Sequence, residues 1–253
     1  MHDHAVSFAP FTQAHAIALA WTAALLSAAL IAGRLTRNRP AQRRLDAAIA
    51  WFAIGVNIFS LAYFATPPRL SWAQSLPLQL CDLACLLAPV ALLKPSARWA
   101  RTLVYFWGLG LSSQAFLTPT LTEGFPSLRY WQFWLLHLVI VGTAVYDVLC
   151  RGYRPTMRDL RLAVAVSVVW FALVFALNIL LARLGVDGAN YGYNADTRPE
   201  NPTIIDALGA WPARALWLML IGVCVLTLWW GIWPAGRWLV SRLGPRQADA
   251  PAR

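Results

Sequence analysis

Charge is what this sequence has least of: 13% of its 253 residues are charged and 59% are hydrophobic, where a soluble domain carries roughly 25% charged. Too few polar side chains remain to coat a globule of this size, so a bilayer must cover the rest. Cysteine is scarce as well, with four residues, Cys81, Cys85, Cys150 and Cys224, in or at the ends of apolar runs. No C-x-x-C pair occurs in a loop, which argues against a disulfide framework or a zinc site. Cys81 and Cys85 share a helix face, but their side chains run roughly parallel, a poor geometry for a bridge. No Lys or Arg precedes the first apolar run, as a cleavable signal peptide would require, so that run is expected to be retained as a spanning helix. No internal repeat is visible, which leaves an inverted-repeat transporter without support.

Hydrophobic runs of spanning length recur throughout, at roughly 12–32, 46–65, 75–93, 99–117, 128–150, 161–184 and 211–233. They predict an all-α fold, a polytopic membrane protein built as a bundle of seven transmembrane helices. Residues 1–236 form that domain, and 237–253 a short basic cytoplasmic tail. Prolines fall mainly between runs. Pro77 and Pro212 sit near helix starts, and Pro89, inside the third run, predicts a kink there.

A net charge of +10 would suit a nucleic-acid binder if the basic residues formed a patch. Instead they alternate from loop to loop. The first, third and fifth connections and the tail hold 16 of the 21 Lys and Arg residues, which fits an odd number of crossings with the N-terminus outside and the C-terminus in the cytoplasm. The expected location is the inner (plasma) membrane, with membrane lipids as partners and no nucleic acid.

Against this background, polar residues inside the runs carry the functional signal. Asp82 leads, because a carboxylate in a spanning helix costs at least ~2.5–3.5 kcal/mol and normally faces a bundle interior or watery cavity. On a helix it shares one stripe with positions 78, 81, 85 and 89, which offers two thiols, a carboxylate and a kink. His137, nine residues into its own run, lies about 13 Å deep at ~1.5 Å per residue and reaches a similar level. Asn57, Gln114 and Asn178 are amides of the same outer layer. For one amide alone, interhelical hydrogen bonding is the plainer role; together they suggest a pocket that opens outward. The long sixth connection, about 185–210, contains Asn190-Tyr191-Gly192-Tyr193 and reads as a folded loop over the pocket mouth. Asn201-Pro202 followed by Thr203 to Leu208 is expected to begin a short interfacial helix.

Several segments resemble one family: LPLQLCDLACLLAP from Leu76 to Pro89, Tyr105 to Glu123 with its TEGFPS continuation, His137 in its helix, NYGY from Asn190 to Tyr193, and LGAWP from Leu208 to Pro212. In order and nearly end to end, they look like the bacterial YwaF-like integral membrane proteins, distantly related to the eukaryotic transmembrane protein 164 acyltransferases. Similar bacterial sequences often have histidine where this chain has Gln79. The resemblance implies a seven-helix fold and, through the eukaryotic relative, acyl transfer between lipids by a cysteine and a histidine.

Three functions remain open. In the first, a lipid acyltransferase or hydrolase, Cys81 is the nucleophile, His137 the base that makes its thiolate, and Asp82 or an amide orients the imidazole. Gln79, Gln114 or Asn178 would donate to the oxyanion, with Asn190, Tyr191 and Tyr193 above; no metal or cofactor is required. The second is a non-catalytic carrier or receptor that binds a proton or small ligand at Asp82 and His137. In the third, a structural membrane subunit, the amides merely tie helices together.

Overall fold

The computed structural model describes residues 7–195 and 207–243. Within them the chain forms seven α-helices, with an isolated bridge between Ser7 and Glu123 as the only β pairing. They are α1 (Gln13–Thr36), α2 (Pro40–Ala65), α3 (Leu80–Leu93), α4 (Arg98–Tyr105), α5 (Leu128–Leu149), α6 (Met157–Arg183) and α7 (Ala213–Leu243). Five of them, α1, α2, α5, α6 and the Ala213–Gly236 part of α7, are long and apolar enough to cross a membrane.

Helix α5 is the central one. Its most apolar stretch is 78% buried, against 17% in α1 and 11% in α7, so α1 and α7 leave most of their apolar surface for lipid. Where α4 ends, the chain continues through a wider π-helical stretch, Phe106–Ser112, and a tight 3-10 turn, Ser113–Phe116. Gly108 makes this possible: a Cβ there would lie 3.0 Å from the Ile140 carbonyl of α5, and small residues let packed helices approach closely. Trp107 Nε1 donates to Ser167 Oγ of α6 at 2.8 Å. On the α7 side, Tyr105 Oη donates to the Trp229 carbonyl at 3.0 Å and accepts from Trp233 Nε1 at 2.9 Å.

The third apolar run departs from its expected form. Helix α3 begins at Leu80 rather than near residue 75, and Pro77 lies ahead of it instead of in its first turn. The backbone between is already committed: Leu76 N–H donates to Tyr191 Oη, and the Leu78 carbonyl accepts from Trp170 Nε1. At 14 residues, α3 is about 21 Å long, too short alone for a hydrocarbon core of ~30 Å. At its far end α7 continues through Pro234 to Leu243, past the expected end of the last run at 233. Most of the expected interfacial helix after Asn201, and the tail from residue 244 on, lie outside the described residues.

Helix α3 also runs through Pro89 without a break in its assignment. A proline has no N–H for the carbonyl four residues back, which here is Cys85. Asn57 of α2 fills that gap, its Nδ2 donating to the Cys85 carbonyl at 3.0 Å and to the Ala53 carbonyl at 2.8 Å. Asn57 is thus part of the helix joint rather than of a pocket. Asn57→Leu is expected to lower stability by about 1 kcal/mol. In a double-mutant cycle the loss should largely vanish in a Pro89→Ala background, where residue 89 supplies its own N–H. Equal losses in both backgrounds would refute the joint.

Candidate functional site

A cavity of about 440 Å³ lies between the start of α3, the π and 3-10 stretch after α4, the first half of α5, α6, α7 and the loop 188–193. Of the sequence-predicted residues, Cys81, Asp82, His137, Gln79, Gln114, Asn190 and Tyr193 line it. They come from four separate parts of the chain. Asn178 and Tyr191 do not line it; they stand behind its loop wall.

Cys81 and Asp82 are in the first turn of α3. The Cys81 thiol donates to Ser112 Oγ at 3.4 Å. Asp82 Oδ2 accepts the Gln79 N–H at 3.3 Å, so the carboxylate caps the helix at the end where the backbone dipole favours negative charge. The sequence reading paired Asp82 with histidine; here its near partner is the backbone of its own helix start.

His137 reaches the cavity from the third turn of α5, packed against the Phe133 ring with centroids 4.3 Å apart. Its Nδ1 is 2.8 Å from the Phe133 carbonyl. A carbonyl can only accept, so the proton of the neutral ring sits on Nδ1 and the lone pair is on Nε2, at the opposite edge. That tautomer suits a base. No hydrogen bond joins His137 to Cys81 or Asp82 in this arrangement, in which the thiol is held by Ser112.

The loop that roofs the cavity is locked in place by amides. Gln79 spends both ends of its side chain on it: Nε2 donates to the Asn190 carbonyl at 3.1 Å, and Oε1 accepts the Gly192 N–H at 2.9 Å. Asn178 grips the same loop from α6, accepting the Tyr191 N–H at 3.0 Å and donating to the Tyr191 carbonyl at 2.8 Å. Tyr191 in turn donates its hydroxyl to the Trp72 carbonyl at 2.9 Å. Gly192 has φ +71°, and a Cβ there would lie 3.0 Å from the Trp170 ring, so both conformation and space call for glycine. Tyr193 follows at φ +56°, a costly conformation for a bulky residue that the surrounding hydrogen bonds impose. Outside the spanning helices, burial pushes the Tyr193 phenol above its ordinary value while a Thr120 hydrogen bond pulls the other way. The hydroxyl therefore remains a donor at neutral pH.

Sequence reasoning missed Ser112, Arg129 and Gln132, all on the cavity wall. Arg129 is one of the five basic residues outside the basic connections and tail; its guanidinium bonds to Gln132 Oε1 and lies 5.4 Å from the centre of the Phe64 ring. Gln132 Nε2 donates to Ser60 Oγ of α2 at 2.8 Å. For the two on α5 the signal was periodicity: stepping back from His137 by fours gives Phe133 and then Arg129, and Gln132 is the i+3 neighbour of Arg129. Among the described residues no group of three or more His, Cys, Asp or Glu side chains is arranged to hold a metal.

Residues 10–230 match the sequence model of the TMEM164 family. No curated protein and no solved structure matches the chain.

Proposed function

As the chain belongs to the TMEM164 family, we propose that it is a membrane enzyme that moves or hydrolyses lipid acyl groups, and that within the family it sits with the bacterial YwaF-like proteins. The observation that carries the reading is the meeting of Cys81, Asp82 and His137 in one cavity, with the imidazole lone pair on the edge away from its backbone anchor. His137 Nε2 takes the Cys81 proton as the thiolate attacks an ester carbonyl carbon of a membrane lipid. The carbonyl oxygen becomes an oxyanion, for which Gln114 and Tyr193 are the donors at hand. Collapse breaks the C–O bond, and the departing alcohol takes the proton from His137. The thioester left on Cys81 then passes its acyl group to an acceptor hydroxyl, or to water, with His137 again as base. Arg129, at the outer start of α5, suits the phosphate of such a lipid.

The test is acyl movement in vesicles: the reconstituted protein with a phospholipid carrying a labelled acyl chain and a lysophospholipid acceptor. Label should appear in the acceptor or as free fatty acid. Transfer no faster than in protein-free vesicles would overturn the enzyme. A non-catalytic binding protein is the second reading, favoured by the Cys81 thiol resting on Ser112 rather than on His137.

The same proposal includes seven crossings of the inner membrane by residues 1–236, with the N-terminus outside and 237–253 in the cytoplasm. The support is the basic residues, 16 of 21 on one set of connections. Reporter fusions should give periplasmic activity after Gly188 and cytoplasmic activity after Arg154 or at the tail. A cytoplasmic signal at Gly188 would reverse the orientation.

A further inference from the structure

At the opposite end of α5 a second cavity, of about 630 Å³, opens between the end of α1, the start of α2, the turn before α4 and the end of α5. Its charged wall consists of Arg37, Arg39, Arg43, Arg101, Arg151 and Asp46. Along α5 it is roughly 30 Å from the outer cavity, at ~1.5 Å per residue from Arg129 to Arg151.

Two of these arginines are already partnered. Arg101 binds Asp147 through two nitrogens, at 2.8 and 2.9 Å. Arg151 pairs with Asp46 and Asp147, each at 3.3 Å, and donates to the Ala91 and Leu92 carbonyls. Asp46 also accepts the Tyr146 hydroxyl at 2.6 Å. Both nearby carboxylates are thereby occupied. Arg37, Arg39 and Arg43 form no ion pair with a described carboxylate, so five arginines against two aspartates leave three positive charges around one concavity.

Topology alone accounts for arginines at this end of the bundle, but not for their convergence. Arg44, next to Arg43 in the first turns of α2, does not line the cavity. In the last two turns of α1, leading to Arg37, Ile31 and Leu35 are 60% and 67% exposed, apolar surface that a soluble anion would not use and an acyl chain would. Helix α2 also begins at this rim without a side-chain cap, its first N–H groups adding to the positive field.

We propose that this cavity binds the phosphate headgroup of an anionic phospholipid from the leaflet at that end of the bundle, with the acyl chains lying against α1. Basic pockets between helices at a membrane face recognise such headgroups. The site is separate from the acyl-transfer cavity and does not depend on that reading.

Native mass spectrometry of the full chain in mild detergent tests it, with phosphatidylglycerol, phosphatidylcholine and soluble glycerol phosphate as probes. Phosphatidylglycerol should be retained roughly tenfold or more over phosphatidylcholine. R39Q and R43Q should each cut that preference by about threefold or more, while R44Q, which removes the same charge one residue away, leaves it intact. None of the three touches an ion pair, and unchanged melting midpoints will show that the variants are folded. Equal effects of R43Q and R44Q would mean diffuse attraction and overturn the site. So would equal retention of the two lipids, or displacement of phosphatidylglycerol by glycerol phosphate at the lipid's own concentration.

Discussion

Cys81→Ala and His137→Ala are each expected to bring acyl transfer down to the rate of protein-free vesicles. The loss of the base alone should be at least ~10²-fold, and the double variant should be no worse than the worse single one. Nucleophile and base act in one step, so removing either removes the step, and their losses do not add. Cys81 accepts no substitute from the cavity wall in this scheme, since Ser112, its hydrogen-bond partner at 3.4 Å, is an alcohol and needs a stronger base. The measurement is the rate of label transfer at matched amounts of folded protein. A binding protein behaves differently: it depends on charge rather than on thiol chemistry, and so fails with Asp82→Asn while surviving Cys81→Ala. Full transfer by Cys81→Ala would end the thiol mechanism even if the enzyme survived.

The largest loss of stability should come from Asp147→Leu. Asp147 is buried, 3% exposed, and holds Arg101 from α4 through two hydrogen bonds and Arg151 from the end of α5 through a third contact. Its removal leaves two largely buried guanidinium groups with the Asp46 carboxylate alone. Breaking one partner of a buried ion pair costs ~3–5 kcal/mol, mostly because the remaining charge is stranded. Adding Arg101→Met to Asp147→Leu should recover a good part of that loss, by removing one stranded charge. Denaturant or thermal unfolding in one detergent reads both. A loss under about 1 kcal/mol for Asp147→Leu would mean that the arginines reach water instead, and that the cluster is not buried in the working protein.

Asp147 also marks how far sequence reading went. It lies in a predicted spanning run, as Asp82 does, yet only Asp82 was singled out. The difference between the two is one of partners: Asp82 meets a helix start and an open cavity, while Asp147 meets Arg101 from α4 and Arg151 four residues on. A single sequence ranks both as expensive and cannot say which is paired. Arg129 shows the opposite case: its place near a helix end marks it in the sequence only as a topology charge, while packing makes it cavity wall.

Hydropathy and breakers determined the elements: the apolar runs and the short basic connections between them. These are properties of residues taken one segment at a time, since the cost of leaving water belongs to the side chain and its near neighbours. Family membership was legible for a similar reason, as short ordered motifs along the chain. What only the tertiary structure decided is who meets whom. Gln79 and Asn178, expected as pocket amides, turn their hydrogen bonds to the loop backbone. Pro89 and Asn57 were each visible, but their joint through the Cys85 carbonyl exists only once α2 packs on α3. A hydrogen bond needs its partner within about 3 Å and correctly aimed, and that distance is set by helix packing, which the one-dimensional pattern of polar and apolar residues leaves undetermined.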